Sequence, residues 1–314
     1  MPVDFLITGG LGFQGYHLTK SLLADGASVR ILARDSDHAR RNLGLLPKKK
    51  APRVLWGDVT NEETVRSVAR DCNMILHLAA QINVDESIQY PERAFAVNWQ
   101  GIFNILKAAR LKNTSLIVAS SCEVYGSNDS DEPMSENYPL NPRSPYAATK
   151  AGADRLAYAY HCSYDLPVVI ARPGNVYGWG QKSGQNGAVI PKFMMQAMNK
   201  QPLTIFGSGE QGRDFVYIED VVSGYRAIID RYESVIGNAF NLGTARDTSI
   251  LKIAQVIAQL GNVEIKHIEA RPGEVKSFAL DSAKANDMLG WMPGVPIEIG
   301  LERTWKIAES MKGF

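Results

Sequence analysis

Short apolar runs alternate with helical patterns along the first half of the chain. The apolar runs cover residues 5–8, 28–32, 54–56, 74–80 and 115–119. The run over 74–80 is almost continuously apolar, which is typical of parallel strands that are buried on both faces. Between the runs, apolar positions recur at helical spacing, and a long helix is predicted over 91–110. This alternation predicts an α/β protein with a parallel sheet covered by helices.

The first strand ends in a turn rich in glycine, which opens a helical pattern. The turn reads Gly9-Gly10-Leu11-Gly12-Phe13-Gln14-Gly15. Gly9 permits the tight turn, Gly12 lets the backbone approach a phosphate group, and Gly15 lets the helix pack against the strand. This order predicts a Rossmann-type, doubly wound lobe that binds NAD or NADP, with the pyrophosphate at the helix N-terminus.

The end of the second strand bears on the choice between the two dinucleotides. An acidic residue normally stands there and binds the adenosine ribose of NAD. This chain has Ala33 instead, followed by Arg34 and Asp35. Arg34 can accommodate the 2′-phosphate of NADP, but it can equally be a solvated loop residue, and Asp35 can still reach a ribose. After the third strand, Asp58 and Val59 are placed to meet the adenine.

A tyrosine and a lysine lie four residues apart in the middle of the chain. Ser144 before Pro145 predicts a helix start, so Tyr146 and Lys150 should lie one turn apart on one helix face. A nearby ammonium group favours the phenolate, so we expect Lys150 to lower the pKa of Tyr146. Ser121 follows the fifth strand, at the edge of the sheet where ligands bind.

Composition excludes several classes of protein. The chain has 314 residues, of which 45% are hydrophobic, and a formal net charge of +1, so neither disorder nor a nucleic-acid-binding surface is predicted. Its three cysteines favour a reducing compartment. No signal-peptide pattern opens the chain, and no apolar run approaches the roughly 20 residues of a membrane helix. We therefore expect a soluble cytoplasmic protein with no membrane or nucleic-acid partner.

The pattern changes after the strand predicted over 168–171. A loop rich in glycine and polar residues covers 180–187, and a methionine-rich helix follows it. We predict a Rossmann-type lobe over 1–175, with a return segment near 214–243. A smaller substrate-binding lobe is predicted over 176–213 and 244–314, with the substrate in the cleft between the two lobes.

Seven short motifs, in order, carry a resemblance to a known family. They are Thr8 to Gly15, His77 to Ala80, Ser120 to Gly126, Tyr146 with Lys150, Asn175 to Gly178, Gly212 to Phe215, and Arg271 to Glu274. Over essentially its full length, the chain resembles the extended short-chain dehydrogenase/reductases that modify nucleotide sugars, the NAD-dependent epimerase/dehydratase group. In such enzymes Tyr146 would take a proton from a sugar hydroxyl, Lys150 would hold the nicotinamide ribose, and Ser121 would hydrogen-bond the reacting oxygen.

The resemblance also implies two sets of binding residues. The tightly held cofactor would contact Gly9, Gly12, Phe13, Gln14, Gly15, Arg34, Asp35, Asp58, Val59, Leu78, Ala79, Ala80, Asn98, Tyr146, Lys150, Pro173 and Val176. The nucleotide-diphosphate sugar would contact Gln81, Ser121, Asn175, Val189, Lys192, Phe206, Arg213 and Arg271. Two arginines in the second set suit the charge of a diphosphate.

Cys122 and Glu123 bear on which reaction follows the oxidation. The nucleotide-sugar 4,6-dehydratases that this chain resembles have the sequence Thr-Asp-Glu-Val-Tyr-Gly at this point. This chain keeps the glutamate as Glu123 and has Cys122 in place of the aspartate. Glu123 can remove the C5 hydrogen that a 4-keto group acidifies. A thiol with a pKa near ~8.5 is mostly protonated at neutral pH, so Cys122 can donate a proton to the leaving 6-hydroxyl. The resemblance is closest to nucleotide-hexose dehydratases that carry a Cys-Glu pair.

Other interpretations remain open at this stage. If Glu123 is structural and Cys122 only packs, a 4-epimerase of the UDP-glucose or UDP-GlcNAc type is the better function, using Tyr146, Lys150 and Ser121. A ketoreductase that consumes NADPH would fit Arg34, and an NADP-sensing module without catalysis is a further alternative. The resemblance implies a homodimer that pairs through the helices around 91–110 and 146–164.

Overall fold

The computed structural model describes residues 4–128, 132–183, 187–269, 278–311 and 313. Its strands are β1 Asp4–Thr8, β2 Ser28–Ala33, β3 Arg53–Trp56, β4 Met74–His77, β5 Ser115–Ala119, β6 Val168–Pro173, β7 Asn175–Tyr177, β8 Leu203–Phe206, β9 Gly212–Arg213, β10 Phe215–Tyr217, β11 Ala239–Leu242, β12 Thr248–Ser249 and β13 Ile265–Ile268. Its α-helices are α1 Phe13–Ala24, α2 Asp37–Leu45, α3 Glu62–Val68, α4 Val84–Gln89, α5 Pro91–Ala94, α6 Gly101–Arg110, α7 Pro145–Tyr164, α8 Val189–Met198, α9 Ile218–Asp230, α10 Tyr232–Val235, α11 Ile250–Gly261, α12 Ala283–Leu289 and α13 Ile297–Ser310.

The chain divides into two compact units, each of which takes up separate stretches of sequence. The first unit comprises Met1–Val124, Pro142–Arg172 and Val222–Phe240, and the second comprises Tyr125–Asn141, Pro173–Val221 and Asn241–Phe314. The lobe boundaries given from the sequence stay a prediction.

A seven-stranded sheet forms the centre of the first unit. Its strand order is β11-β6-β5-β4-β1-β2-β3, and neighbouring strands from β3 to β6 pair in parallel. Fully buried aliphatic side chains such as Leu6, Ile75 and Leu116 form the core between sheet and helices. Burial of such side chains supplies the main driving force for folding. The prediction of a doubly wound α/β fold is confirmed.

Two predicted elements of the first unit differ from the structure. The strand predicted over 74–80 ends at His77, although the Leu78 N–H still donates to the Thr8 carbonyl oxygen of β1 at 3.1 Å. The helix predicted over 91–110 is interrupted by a π-helical turn at Phe95–Gln100. Within this turn, Trp99 packs so closely on Gly152 of α7 that a Cβ atom there would lie 2.4 Å from the indole ring.

The second unit is organised around the buried carboxylate of Asp214. That carboxylate accepts hydrogen bonds from the Thr244 N–H (2.8 Å), the Thr244 hydroxyl (2.7 Å), the Ala245 N–H (3.2 Å) and the Leu280 N–H (3.0 Å). Burial raises the pKa of Asp214, and these hydrogen bonds act in the opposite direction. Three two-stranded sheets complete the unit, in the pairs β10-β7, β12-β9 and β13-β8. Asp214 thus joins three separate segments of one unit.

The described helices were compared with the length and hydropathy of a membrane span. Among residues 4–128, 132–183, 187–269 and 278–311, no helix combines the length and the apolar character that a membrane span requires.

Candidate active site

The glycine turn after β1 has the geometry of a phosphate-binding loop. Gly9 has a φ angle of +70°, and a Cβ atom there would lie 2.9 Å from the Ala79 backbone. At Gly15 a Cβ atom would lie 2.1 Å from the Gly9 carbonyl oxygen, so this helix residue packs on the turn itself. α1 begins at Phe13 without a side-chain cap from Gly12. The first N–H groups of α1, including those of Phe13 and Gln14, therefore face a position that suits an anion.

The loop after β4 is held from two sides. Thr8 accepts from Ala79, with 3.3 Å between the Ala79 nitrogen and the hydroxyl oxygen. Asn98, from the π-helical turn, is 2% exposed; its side chain accepts from the Gln81 N–H at 2.8 Å and donates to the Gln81 carbonyl at 3.0 Å. Its amide also donates to the Thr149 hydroxyl of α7 at 3.0 Å. Asn98 thus fixes residues 78–81, which include Leu78 and Ala80, against the helix of Tyr146.

Two buried polar atoms fit a bound cofactor or substrate in this region. Within the described part of the chain, the Gln81 side-chain oxygen and the Ser120 hydroxyl have no hydrogen-bonding partner. Buried polar groups are nearly always hydrogen-bonded, so each of these atoms suits a ligand or a water molecule. Together with the glycine turn, they show that the residues present fit a dinucleotide.

The predicted catalytic groups of the first unit do come together. α7 begins as expected, because the Ser144 hydroxyl accepts from the Ala147 N–H at 3.1 Å and Pro145 occupies the first turn. The Ser121 side chain hydrogen-bonds the Tyr146 phenol and accepts from the Glu123 N–H at 3.2 Å. Cys122 is 2% exposed, while Glu123 is half-buried. A phenol, a hydroxyl, a thiol and a carboxylate therefore lie near one another after β5.

The electrostatics of Tyr146 differ from the sequence-based expectation. Burial raises the pKa of Tyr146, the hydrogen bond from Ser121 lowers it, and the nearby Cys122 and Glu123 raise it further. The Lys150 ammonium group donates to the Ala119 carbonyl oxygen. Burial lowers the pKa of Lys150 to about 8, against the opposing influence of Asp154. The pKa of Tyr146 thus lies above its usual value, and the lowering expected from Lys150 stays a prediction.

A buried ion pair joins α7, the helix of Tyr146, to β6 of the sheet. The Asp154 carboxylate accepts from the Arg172 Nε at 2.8 Å and Nη2 at 3.0 Å, and both side chains are almost completely buried. Burial alone would raise the pKa of Asp154, but the hydrogen bond and charge of Arg172 hold it below its usual value.

His77, at the end of β4, is also buried. Burial lowers the pKa of His77 to about 3, with a contribution from Lys150, and its Nδ1 lies 2.8 Å from the Thr8 hydroxyl. His77 is therefore neutral and buried in the sheet.

Residues predicted to meet the adenosine lie at the ends of β2 and β3. Arg34 and Asp35 are exposed, and Asp35 forms an ion pair with Arg40 of α2. Asp58 accepts from the Thr60 N–H at 2.9 Å. Val59 is buried, and its carbonyl oxygen accepts from the Asn104 amide at 2.9 Å. Asp58 and Val59 thus have structural contacts of their own, and their contact with adenine stays a prediction.

The second unit holds most of the residues predicted for the nucleotide sugar. The Lys192 ammonium of α8 lies 5.6 Å from the centre of the Phe206 ring, and Val189 stands one turn earlier on the same helix. The Asn175 N–H donates to the Asp214 carbonyl at 2.7 Å, and the neighbouring Arg213 donates to the Gly212 carbonyl at 2.6 Å. Two residues predicted for the cofactor also belong to this unit: Pro173 ends β6, and Val176 lies in β7. Arg271 lies outside the described residues.

Comparison with known proteins assigns the family. The model of the family described as "GDP-mannose 4,6 dehydratase" matches residues 6–304. The chain belongs to this family of extended short-chain dehydrogenase/reductases. It is 33% identical over 316 residues to a trifunctional UDP-glucose 4,6-dehydratase, epimerase and reductase from Arabidopsis thaliana, and it spans 47% of that protein's length. It is 31% identical over 329 residues to the dTDP-D-glucose 4,6-dehydratase of Bos taurus, which covers 97% of this chain and 91% of the bovine one.

Solved structures of both dehydratases and epimerases share the fold. The dTDP-glucose 4,6-dehydratase DesIV of Streptomyces venezuelae, solved with NAD and TYD bound, is 28% identical with a TM-score of 0.89, covering 98% of this chain and 97% of its own. The UDP-glucose 4-epimerase of Thermotoga maritima, solved with UDP-glucose, is 27% identical with a TM-score of 0.92, covering 99% and 100%. The prediction of an enzyme from the nucleotide-sugar dehydratase and epimerase group is confirmed, and the comparisons include both dehydratases and epimerases.

Sequence reasoning missed one tyrosine near the site. Tyr225 of α9 is fully buried, and its hydroxyl donates to the Gln14 side-chain oxygen at 3.5 Å. Burial raises the pKa of Tyr225, and the nearby Tyr146 raises it further. In the sequence, Tyr225 is one apolar position on an amphipathic helix, so nothing distinguishes it from a core residue.

Proposed function

We propose that this enzyme removes water from a nucleotide hexose through a 4-keto intermediate. The observation that carries the proposal is the half-buried carboxylate of Glu123, which stands beside the hydrogen-bonded pair of Ser121 and Tyr146. Oxidation alone needs only the tyrosine, the serine and the lysine. A carboxylate next to them supplies the base that elimination requires.

The first step is oxidation at C4 of the sugar. Tyr146 takes the proton of the 4-hydroxyl, and Ser121 donates a hydrogen bond to the oxygen as it becomes a carbonyl. Lys150, on the same helix face, lowers the energy of the resulting phenolate by its charge and holds the cofactor ribose. When bound, NAD or NADP would supply the hydride acceptor for this step.

The second step is elimination of water across C5 and C6. The 4-keto group acidifies the C5 hydrogen, which Glu123 removes as a proton. Cys122 gives its thiol proton to the 6-hydroxyl, so that the C6–O bond breaks and water leaves. A hydride at C6 with a proton at C5 would give a 6-deoxy-4-keto sugar, whereas a hydride at C4 with a proton on its oxygen would give a 5,6-alkene.

One observation favours a second candidate, a nucleotide-sugar 4-epimerase. Cys122 is only 2% exposed, as a small packing residue would be. If Cys122 only packs, no proton donor for the 6-hydroxyl follows from the described residues after β5. Tyr146, Lys150 and Ser121 would then assist oxidation of C4 by a bound dinucleotide, and reduction from the other face of the sugar would complete the epimerisation.

The two candidates differ in the mass of the product. We expect mass spectrometry, after incubation with UDP-GlcNAc, UDP-glucose, GDP-mannose and dTDP-glucose, to show the loss of one water from at least one of them. A product of unchanged mass but altered stereochemistry at C4, identified by NMR, would instead support the epimerase. No turnover of any of these sugars would favour a binding module.

Cys122 provides the sharpest prediction within the elimination step. We expect Cys122→Ala to lower the rate of water loss by about 10- to 100-fold, while C4 oxidation, seen as reduced cofactor, stays at the wild-type rate. Cys72→Ala is a matched control, because Cys72 is also buried and donates only to the Ala69 carbonyl oxygen, at 3.2 Å. An unchanged rate of water loss in Cys122→Ala would return this residue to a packing role.

Tight binding of NAD or NADP is part of the proposal. It is supported by the glycine turn, by the buried Gln81 and Ser120 oxygens that lack partners within the described chain, and by the NAD bound in the DesIV structure. For the substrate, we propose that Lys192 and Arg213 pair with the diphosphate and that Phe206 contacts the nucleotide. Asn175, Val189 and Arg271 remain predicted contacts of the same ligand.

We also propose a homodimer that pairs through α5, α6 and α7. The π-helical turn between α5 and α6, α6 itself, the residue after it and α7 expose Phe95, Phe103, Leu111, Tyr158 and Tyr164, each between 37% and 70% accessible. Exposed apolar side chains on neighbouring helices are typical of an interface. Light scattering at micromolar concentration should give twice the chain mass, and a monomeric mass would contradict this proposal.

We further propose that the enzyme works in a reducing compartment such as the cytoplasm. None of the three cysteines, all within the described residues, forms a disulfide. A disulfide detected in the protein as purified from its own cells would contradict this location.

A further inference from the structure

The backbone N–H group of Tyr146 needs a partner from outside its own helix. α7 begins at Pro145, and the first N–H groups of an α-helix have no acceptor within the helix. The Ser144 side chain accepts from the Ala147 N–H, and the Ser144 carbonyl oxygen accepts from the Ala148 N–H at 2.8 Å. Neither bond involves Tyr146. Because a buried N–H without an acceptor is costly, that of Tyr146 requires one from another element.

Ser87 of α4 is that partner. Its hydroxyl oxygen accepts from the Tyr146 N–H at 3.0 Å, and its own proton goes to the Val84 carbonyl oxygen at 2.7 Å. The bond to Val84 uses the single donor of the hydroxyl and leaves its lone pairs for Tyr146. Ser87 is fully buried, so solvent does not compete for this position. A second helix thus caps the start of α7.

The carbonyl group of Tyr146 is held as well. It accepts from the Thr149 hydroxyl at 2.8 Å, and that hydroxyl accepts in turn from the Asn98 amide at 3.0 Å. Asn98 lies in the π-helical turn and also binds both backbone groups of Gln81. The Tyr146 backbone is therefore tied to α4 on one side and, through Thr149, to the π-helical turn on the other.

Contacts between Gln81 and the start of α4 close these bonds into a ring. The Gln81 side-chain amide donates to the Asn83 carbonyl oxygen at 3.0 Å. Asn83 caps α4, because its side chain accepts from the Glu86 N–H at 2.6 Å. A closed ring allows Tyr146 less movement than either contact would alone. The ring lies within the first unit and runs through Tyr146, Ser87, Asn83, Gln81, Asn98 and Thr149.

We propose that Ser87 is a positioning residue for the reaction at C4, because its hydroxyl fixes the start of α7 and thereby the place of the Tyr146 phenol. Ser87 acts through the Tyr146 backbone and takes no part in the proton transfer itself. A misplacement of about 1 Å can cost roughly 100-fold in rate, so one buried hydrogen bond is enough to matter. The inference rests on the proposed function in taking Tyr146 as the base, and it applies to dehydration and epimerisation alike.

Ser87→Ala removes the hydroxyl and should separate catalysis from binding. The substrate is whichever of the four sugar nucleotides the wild type converts, and oxidation at C4 is followed as reduced cofactor by stopped-flow absorbance. At saturation we expect the rate to fall by about 10- to 100-fold, while the half-saturating concentration stays within about 3-fold of the wild type. Ser87→Thr keeps the hydroxyl and should recover most of the rate.

A buried hydroxyl in the second unit provides a matched control. Thr304 of α13 is also fully buried, and its hydroxyl donates to the Gly300 carbonyl oxygen at 2.7 Å. Thr304→Val therefore removes a comparable hydrogen bond without touching α7. This variant should keep the wild-type rate of oxidation, even if it lowers the thermal stability as much as Ser87→Ala does.

Amide hydrogen exchange reports the Ser87 bond without any turnover. Within the described residues, the hydroxyl of Ser87 is the acceptor for the Tyr146 N–H. In the purified holoenzyme, mass spectrometry of fragmented peptides from the start of α7 should show exchange at Tyr146 about 10- to 100-fold faster in Ser87→Ala. Exchange there should not change in Thr304→Val.

The two measurements give distinct results if the proposal is wrong. Unchanged exchange at Tyr146 in Ser87→Ala would overturn it, as would faster exchange with wild-type oxidation. A change confined to the half-saturating concentration, or a Ser87→Thr variant as slow as Ser87→Ala, would also overturn it. A wild type that protects the Tyr146 amide but oxidises none of the four sugars would contradict the proposed function alone.

Discussion

Tyr146→Phe should slow C4 oxidation by about 100- to 10,000-fold, because the variant has no group in place to take the proton of the 4-hydroxyl. The phenol is buried and hydrogen-bonded to Ser121, so its removal takes away the proton acceptor that we propose for the 4-hydroxyl. The rate is measured by stopped-flow absorbance, as the reduced cofactor forms on mixing enzyme with sugar nucleotide.

A second tyrosine controls for the loss of a hydroxyl group in itself. Tyr90→Phe changes an exposed residue of the same unit, 46% accessible, and should leave the rate at its wild-type value. Thermal unfolding of Tyr146→Phe should match the wild type within a few degrees, since only one hydroxyl is lost. Wild-type oxidation by a folded Tyr146→Phe variant would remove this residue from the reaction.

Glu123→Gln should abolish water loss and still permit oxidation at C4. The amide keeps the shape of the side chain but cannot accept the C5 proton, so elimination should fall by about 100- to 10,000-fold. Oxidation does not need this carboxylate, so reduced cofactor and the 4-keto sugar should accumulate on the enzyme. Absorbance of the reduced cofactor and mass spectrometry of the quenched mixture report the two steps separately.

The separation between the two steps is what tests the role of Glu123. Glu63→Gln, on the exposed surface of α3, is a matched control that should leave both steps unchanged. Equal and complete loss of oxidation and water loss in Glu123→Gln would show that the carboxylate maintains the site as a whole. Unimpaired water loss would assign the base to another group.

Features that depend on one or a few neighbouring residues could be predicted from the sequence. The positive φ angle of Gly9 and the Ser144 cap of α7 both follow from the conformational range or hydrogen bonding of single residues. The parallel sheet follows from the spacing of apolar runs. Because parallel strands end at one edge of a sheet, the same spacing also predicted that Ser121 would lie at the edge where ligands bind.

What the sequence did not predict depends on contacts between distant segments. Asp154 and Arg172 neutralise each other in the core, although neither residue suggests burial on its own. The raised pKa of Tyr146 and the lowered pKa of Lys150 come chiefly from desolvation. The spacing of the two residues in the sequence does not indicate how deeply either is buried. The Tyr225–Gln14 contact joins residues that are 211 positions apart, and the π-helical turn that carries Asn98 has no local sequence signature.

The most direct test of dehydration is the mass of the product formed in deuterium oxide. If Glu123 removes the C5 proton and the hydride returns to C6, the product should lack one water and carry one solvent deuterium at C5. A 5,6-alkene would lack one water without carbon-bound deuterium, which would still support elimination. A product that retains the full mass of the substrate, with no carbon-bound deuterium and inverted C4, would contradict dehydration.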